Sequence, residues 1–226
     1  MPALFDTILL LDERPRPGVA AWNMALDEAL LAGGQGPLLR VYRWAEPAVS
    51  FGYFLPWEEA EKVAHGRTVM RRWTGGGLVE HGEDFTWSLI VPTRHPVSRL
   101  RPAASYGTFH AALADAMRAA GLPVEQVDVS APAPAGGLCM TAPAPGDLLR
   151  DGKKIAGAGQ RRCRHGLLHQ GSIFGVSLPG DFPARLAAAL SGSVESFPVE
   201  KIPRAEAEGL VLSRYGTDAW LRKAPH

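Results

Sequence analysis

Hydrophobic and polar positions fall along this chain in short runs whose period changes repeatedly. Thr7 to Leu11 is a short apolar run of strand length. Asn23 reads as an N-cap for the helical run Met24 to Leu31, which Gly33-Gly34 closes. Leu38 to Trp44 partly alternates and predicts a strand, and Ala48 to Tyr53 predicts another. Pro56 stands where proline is tolerated, at the opening of a helix that runs to Val63. Thr68 to Trp73 is a strand leading straight into Thr74-Gly75-Gly76-Gly77, and Phe85 to Val91 is the next. Ala103 to Ala120 carries the clearest helical pattern, with Phe109, Leu113, Ala116, Met117 and Ala120 on one side and Gly121 at its end.

The second half is less regular. Val124 to Val129 can form a strand, whereas the Pro/Ala-rich stretch Ser130 to Gly146 reads as a loop broken only by Leu138, Cys139 and Met140. Asp151-Gly152 is a strong two-residue hairpin signal, so a strand ending near Arg150 meets one starting at Lys153. Leu167 to Val176 is a return strand, Pro183 to Leu190 a helix, and Pro203 to Lys223 mostly helical. Irregularly spaced strands with several helices predict an α+β fold around a mixed, largely antiparallel sheet. There is no internal repeat and no second-domain linker, so residues 1–226 read as one domain.

The hairpin strand changes this picture most. Side chains alternate faces along a strand, so Lys153 and Lys154 point opposite ways. Ala156, Gly157, Ala158 and Gly159 leave almost no side-chain volume beside whichever lysine faces inward, as where a ligand or another backbone comes close. A lysine over a glycine floor suits an acyl or phosphate oxygen. An edge strand guarded by lysines against aggregation gives the same letters.

Composition narrows the classes. Of 226 residues, 46% are hydrophobic and 21% charged, the profile of a globular protein able to bury its own core. A net charge of +1 with no basic tail gives no basis for a nucleic-acid partner. No apolar run reaches the ~18 residues of a membrane span, and Met1 to Asp6 lacks a signal-peptide pattern. Two cysteines without metal-ligand spacing, Cys139 and Cys163, predict no metal site and fit a cytoplasmic location.

Three stretches could carry chemistry. Three successive glycines after Arg71-Arg72-Trp73-Thr74 free the backbone to turn N–H groups toward an anion, although a plain turn would also use them. Cys139 is either a small apolar anchor for its loop or a thiolate favoured by nearby lysines. His169 on the return strand can face the lysine cleft or sit satisfied in the sheet.

Three blocks in order resemble the lipoate–protein ligase and octanoyltransferase family. They are Asn23-Met24-Ala25-Leu26-Asp27-Glu28, Arg71-Arg72-Trp73-Thr74-Gly75-Gly76-Gly77 with His81, and Gly152-Lys153-Lys154-Ile155-Ala156-Gly157. The resemblance, over about residues 20–180, implies the fold of biotin protein ligases and class II aminoacyl-tRNA synthetases. It implies that Lys154 contacts an acyl carbonyl. It implies further that Arg72, Thr74, Gly75, Gly76 and Gly77 wall the acyl and adenylate site, with His81 and the floor residue Gly157 beside them. Cys139, fifteen positions before Lys154, resembles the acyl-thioester cysteine of LipM-like octanoyltransferases. Two departures stand out. Gly157-Ala158-Gly159 replaces Gly-Ser-Ala, and His169-Gln170-Gly171 puts the family's histidine one place early, which turns it to the other face.

The expected function is protein lipoylation. Cys139 would take an octanoyl or lipoyl group and pass it to a lysine of a lipoyl domain, in a 2-oxoacid dehydrogenase subunit or a glycine cleavage H protein. The donor would be an octanoyl- or lipoyl-carrier protein, and no cofactor is needed. Two alternatives stand beside it. One is an ATP- and Mg-dependent lipoate–protein ligase in which Cys139 is a bystander. The other is a non-catalytic lipoyl-binding or scaffold subunit.

Overall fold

The computed structural model describes residues 3–130 and 143–224. In chain order its strands are β1 (Phe5–Asp12), β2 (Leu38–Tyr42), β3 (Ala48–Phe51), β4 (Thr68–Arg71), β5 (Leu78–His81), β6 (Phe85–Pro92), β7 (Glu125–Gln126), β8 (Leu148–Arg150), β9 (Lys153–Cys163), β10 (Gly166–Ile173) and β11 (Ser191–Ser196). The helices are α1 (Ala20–Gly33), α2 (Trp57–Ala64), α3 (Pro102–Ala119), α4 (Phe182–Leu190), α5 (Arg204–Leu210) and α6 (Asp218–Leu221), with a π-helical turn at Val211–Tyr215. Eight strands form one sheet in the order β11-β1-β2-β6-β10-β9-β8-β7. Only β11-β1 and β1-β2 pair in parallel; the other ladders are antiparallel. The mixed, mainly antiparallel α+β expectation holds. A separate small sheet, β4-β3-β5, packs with α2 around Val49, Phe51 and Leu78.

The main sheet is covered on both faces, and the two-residue strand period assigns each side chain to one of them. Leu39, Val41, Trp87, Leu89 and Leu167 face α3 and α4. Leu38, Tyr42, Ile90 and Leu168 face α1 and α5. Side chains such as Leu89 and Leu26 are fully buried, each contributing ~1.5–3 kcal/mol.

Several expectations change. Asn23 is not a cap: α1 starts three residues earlier, after Val19, and Asn23 is buried inside it. Its Nδ2 donates to the Gly18 and Arg43 carbonyls, while its Oδ1 accepts from Arg40. Arg40, at the centre of β2, is fully buried and pairs with Asp27 and Glu13, both at 2.7 Å. The polar side of α1 is therefore spent on neutralising a buried arginine. The Val124–Val129 run yields only the two-residue β7. Strands β5 and β11 went unpredicted: one is four residues of mixed character and the other an exposed polar edge. Both exist through pairing, β5 with β3 and β11 with β1. Cys163 is half-buried at the end of β9.

Candidate active site

The β8-β9 hairpin turns on Asp151 and Gly152 at φ 50° and 72°, the paired positive values of a type I′ turn. Lys153 is exposed, and Lys154 points the other way, as the alternation predicts. Its Nζ lies 2.7 Å from Asp147 Oδ2, and Asp147 is fully buried. Asp147 is held from three sides. Tyr106 donates its hydroxyl to Oδ1 at 2.5 Å, and the Ala144 N–H donates to Oδ2 at 2.7 Å. Tyr106 in turn accepts the Ala158 N–H at 2.9 Å. Burial and the Asp147 carboxylate keep the Tyr106 phenol protonated, well above its ordinary range. Gly157 makes room for this arrangement: a Cβ there would stand 2.7 Å from Lys154 Cε and 3.0 Å from Nζ.

The triple-glycine loop is wedged between two other glycines. A Cβ on Gly52 would lie 2.0 Å from the Gly76 carbonyl oxygen, and one on Gly159 would lie 2.2 Å from that of Gly75. The Gly75 N–H donates to the Gln160 carbonyl at 3.2 Å. Gly76 adopts φ +100°, the left-handed region. The loop is thus a fixed wall built of backbone. Arg72 lies beneath it, buried, with Nη1 donating to Ser50 Oγ at 2.7 Å and Nη2 to the carbonyls of Gly75 and Gly77. None of these partners is an anion, and burial pulls the guanidinium down to about 10. His81 bonds Ser50 Oγ through Nε2 at 2.6 Å and Asp84 through Nδ1 at 2.8 Å, and stacks on Trp44 with centroids 4.0 Å apart.

These groups surround one cavity of about 410 Å³ between the small sheet, α1 and the α1-facing side of the main sheet. Met24, Tyr42, Trp44, Leu78 and Phe174 supply apolar walls, while Lys154, Asp147 and Tyr106 gather polar atoms at one part of the lining. Of the residues singled out in the sequence, Arg72, Gly76, Gly77, His81, Lys154 and Gly157 line it. Thr74 and Gly75 stand behind the wall, Thr74 donating to Gln170 Oε1 at 2.7 Å. Cys139 lies outside the described residues. The one-residue shift on β10 has its predicted effect. Gln170 lines the cavity, whereas His169 is buried on the α3 side against Tyr106 and Phe109.

Sequence reasoning missed Asp147, Tyr106, Ser50 and Asp84. An acid seven positions before the lysine and another three after His81 were the available signals. Tyr106 and Ser50 carried none, because they reach the site from α3 and β3.

Residues 20–197 match the model of the lipoyl protein ligase A/B catalytic domain. The chain belongs to that family. Among curated members, octanoyltransferase LipM of Macrococcus caseolyticus is 35% identical over 170 residues, covering 67% of this chain and 60% of that protein. The chain therefore spans about 60% of the length of this lipoyl ligase family relative. Among solved structures, the T. acidophilum protein Ta0514 with bound lipoic acid superposes with a TM-score of 0.74 at 21% identity, covering 96% of this chain and 99% of that one. A lipoate-protein ligase A bound with ATP gives 0.70 at 20% identity, covering 96% and 98%. These two likenesses establish the shared fold of the family's catalytic domain.

Proposed function

We propose that the chain is an acyltransferase of protein lipoylation. It moves an octanoyl or lipoyl group onto a lysine of a lipoyl carrier domain. The observation that carries this reading is Lys154, held by the buried Asp147 over Gly157 at the edge of an apolar cavity. Lys154 donates to the acyl carbonyl oxygen and stabilises the charge that develops there, while the apolar walls take the chain. Cys139 is the proposed nucleophile. Its sequence position, fifteen residues before Lys154, supports that role. The thiolate attacks the donor thioester, and the donor thiol leaves with a proton. The carrier lysine's amine then attacks the Cys139 thioester, forming the amide and returning the thiol.

One observation favours a second reading. Arg72 is a buried cation whose partners are a hydroxyl and two carbonyls. It fits the anionic phosphoryl oxygen of an acyl-adenylate, as an ATP-dependent ligase would form, with Cys139 idle. Intact mass spectrometry separates the two. On the transferase reading, octanoyl-acyl carrier protein adds one hydroxylamine-labile octanoyl group without ATP; Cys139→Ser loses it and Cys163→Ser retains it. Turnover that requires ATP and survives Cys139→Ser would establish the ligase.

A further inference from the structure

Asp84, His81, Ser50 and Arg72 form one continuous hydrogen-bonded chain ending in the cavity. The links are Asp84 Oδ2 to His81 Nδ1 at 2.8 Å, His81 Nε2 to Ser50 Oγ at 2.6 Å, and Ser50 Oγ to Arg72 Nη1 at 2.7 Å. The proton positions follow from the surrounding donors. Asp84 already accepts the hydroxyls of Thr86 and Ser172 at 2.7 and 2.6 Å and the Gly82 N–H at 3.1 Å. It is an acceptor throughout, so His81 presents Nδ1–H to it. Burial holds the imidazole below its ordinary pKa, so it is neutral and Nε2 carries a lone pair. Ser50 therefore donates its proton to His81, leaving its own lone pairs facing the Arg72 N–H. In the opposite tautomer, His81 and Arg72 would both donate to Ser50, and the buried hydroxyl proton would lose its acceptor, which is costly. Trp44, stacked on the ring and donating its indole N–H to Thr86 at 2.8 Å, fixes the imidazole plane.

The order serine, histidine, aspartate matches that of a hydrolytic triad. Here, however, Ser50 is fully buried and its oxygen is engaged by a guanidinium. The arrangement holds a group in place. At its end, Arg72 has no carboxylate partner among the described residues, and its Nε makes no hydrogen bond to them. A buried cation so placed is completed by an anion.

We propose that Asp84, His81 and Ser50 are positioning residues that lock the Arg72 guanidinium to receive a negatively charged head-group oxygen, carboxylate or phosphoryl, on a medium-chain acyl ligand. The inference rests on the reading of the cavity as an acyl site, in its ligase form where the ligand enters as a free acid or adenylate, and adds what recognises that head group. Calorimetric titration with octanoate and its neutral isostere octanamide tests it. The wild-type protein binds octanoate more tightly than octanamide. Ser50→Ala and Asp84→Asn weaken octanoate about tenfold to a hundredfold, the range of one hydrogen bond to a charged group, and leave octanamide within about twofold. Ser50→Thr, which keeps the hydroxyl, retains octanoate binding. Parallel weakening of both ligands would reduce the chain to a packing element and overturn the proposal, as would unchanged octanoate binding. Labelling of Ser50 by a fluorophosphonate would make it a nucleophile instead. A wild-type protein that binds neither ligand would overturn the acyl-site reading itself.

Discussion

Lys154 owes its direction to three residues of the cavity lining. Asp147 holds its amine, Tyr106 holds Asp147, and Gly157 leaves the space they occupy. The group a Gly157 Cβ would strike is the far end of a flexible side chain, so the lysine would move while the backbone stays. Gly157→Ala should therefore lower acyl transfer toward the level of Lys154→Ala, a loss of about 10²–10³ in rate, with a melting temperature close to wild type. Lys153→Ala, on the opposite and exposed side, should be mild. Near-normal turnover in Gly157→Ala would mean that the lysine position is not what limits the reaction.

At the scale of elements, the glycine loop is held by close backbone contacts. Gly52, the residue after β3, lies against Gly76, and β9 passes Gly159 against Gly75, so the loop joins the small sheet to the main one. The neighbours a new Cβ would meet at Gly52 are main-chain atoms at 2.0 and 2.8 Å, which cannot swing aside. Gly52→Ala should cost both stability and activity, by ~2 kcal/mol or more, as overpacking of a closed site does. Gly75→Ala meets nothing within 4 Å and lacks a positive φ, so it should be nearly neutral. Paired chemical denaturation of the two variants checks this; equal destabilisation would show that loop flexibility, not the wedge, is what glycine supplies.

For the molecule as a whole, both sheet faces are closed, and the α3 side buries ionisable groups. Burial pushes His110 down to about 4, and His169 lies well below its ordinary pKa through burial and the nearby His110 and Arg162. Both remain neutral in the folded state, while the unfolded chain takes up protons near pH 6.5. Between these values the unfolded state binds more protons, so stability is full above about pH 6.5 and falls as pH drops toward 4. His110 alone accounts for about 2 kcal/mol by pH 5. Urea midpoints at pH 7.5 and pH 5 measure it, and His110→Gln should flatten the slope. A wild-type midpoint unchanged over that interval would contradict the burial-driven shift.

Periodicity, turn chemistry and glycine placement carried much of this in local form. The long helix α3, the Asp151-Gly152 hairpin and the opposed lysines follow from backbone geometry within a few residues, and local geometry is legible in letters. The tertiary structure alone decided which groups meet. β5 and β11 lack a hydrophobic period of their own and exist because β3 and β1 offer edges. Asn23 resembles a cap until the buried Arg40 claims it. Tyr106 reaches Lys154's partner from 41 residues before Asp147, and Ser50 reaches His81 across 31. Such contacts leave no spacing signal, because the sheet sets the distances between strands and the intervening chain length does not.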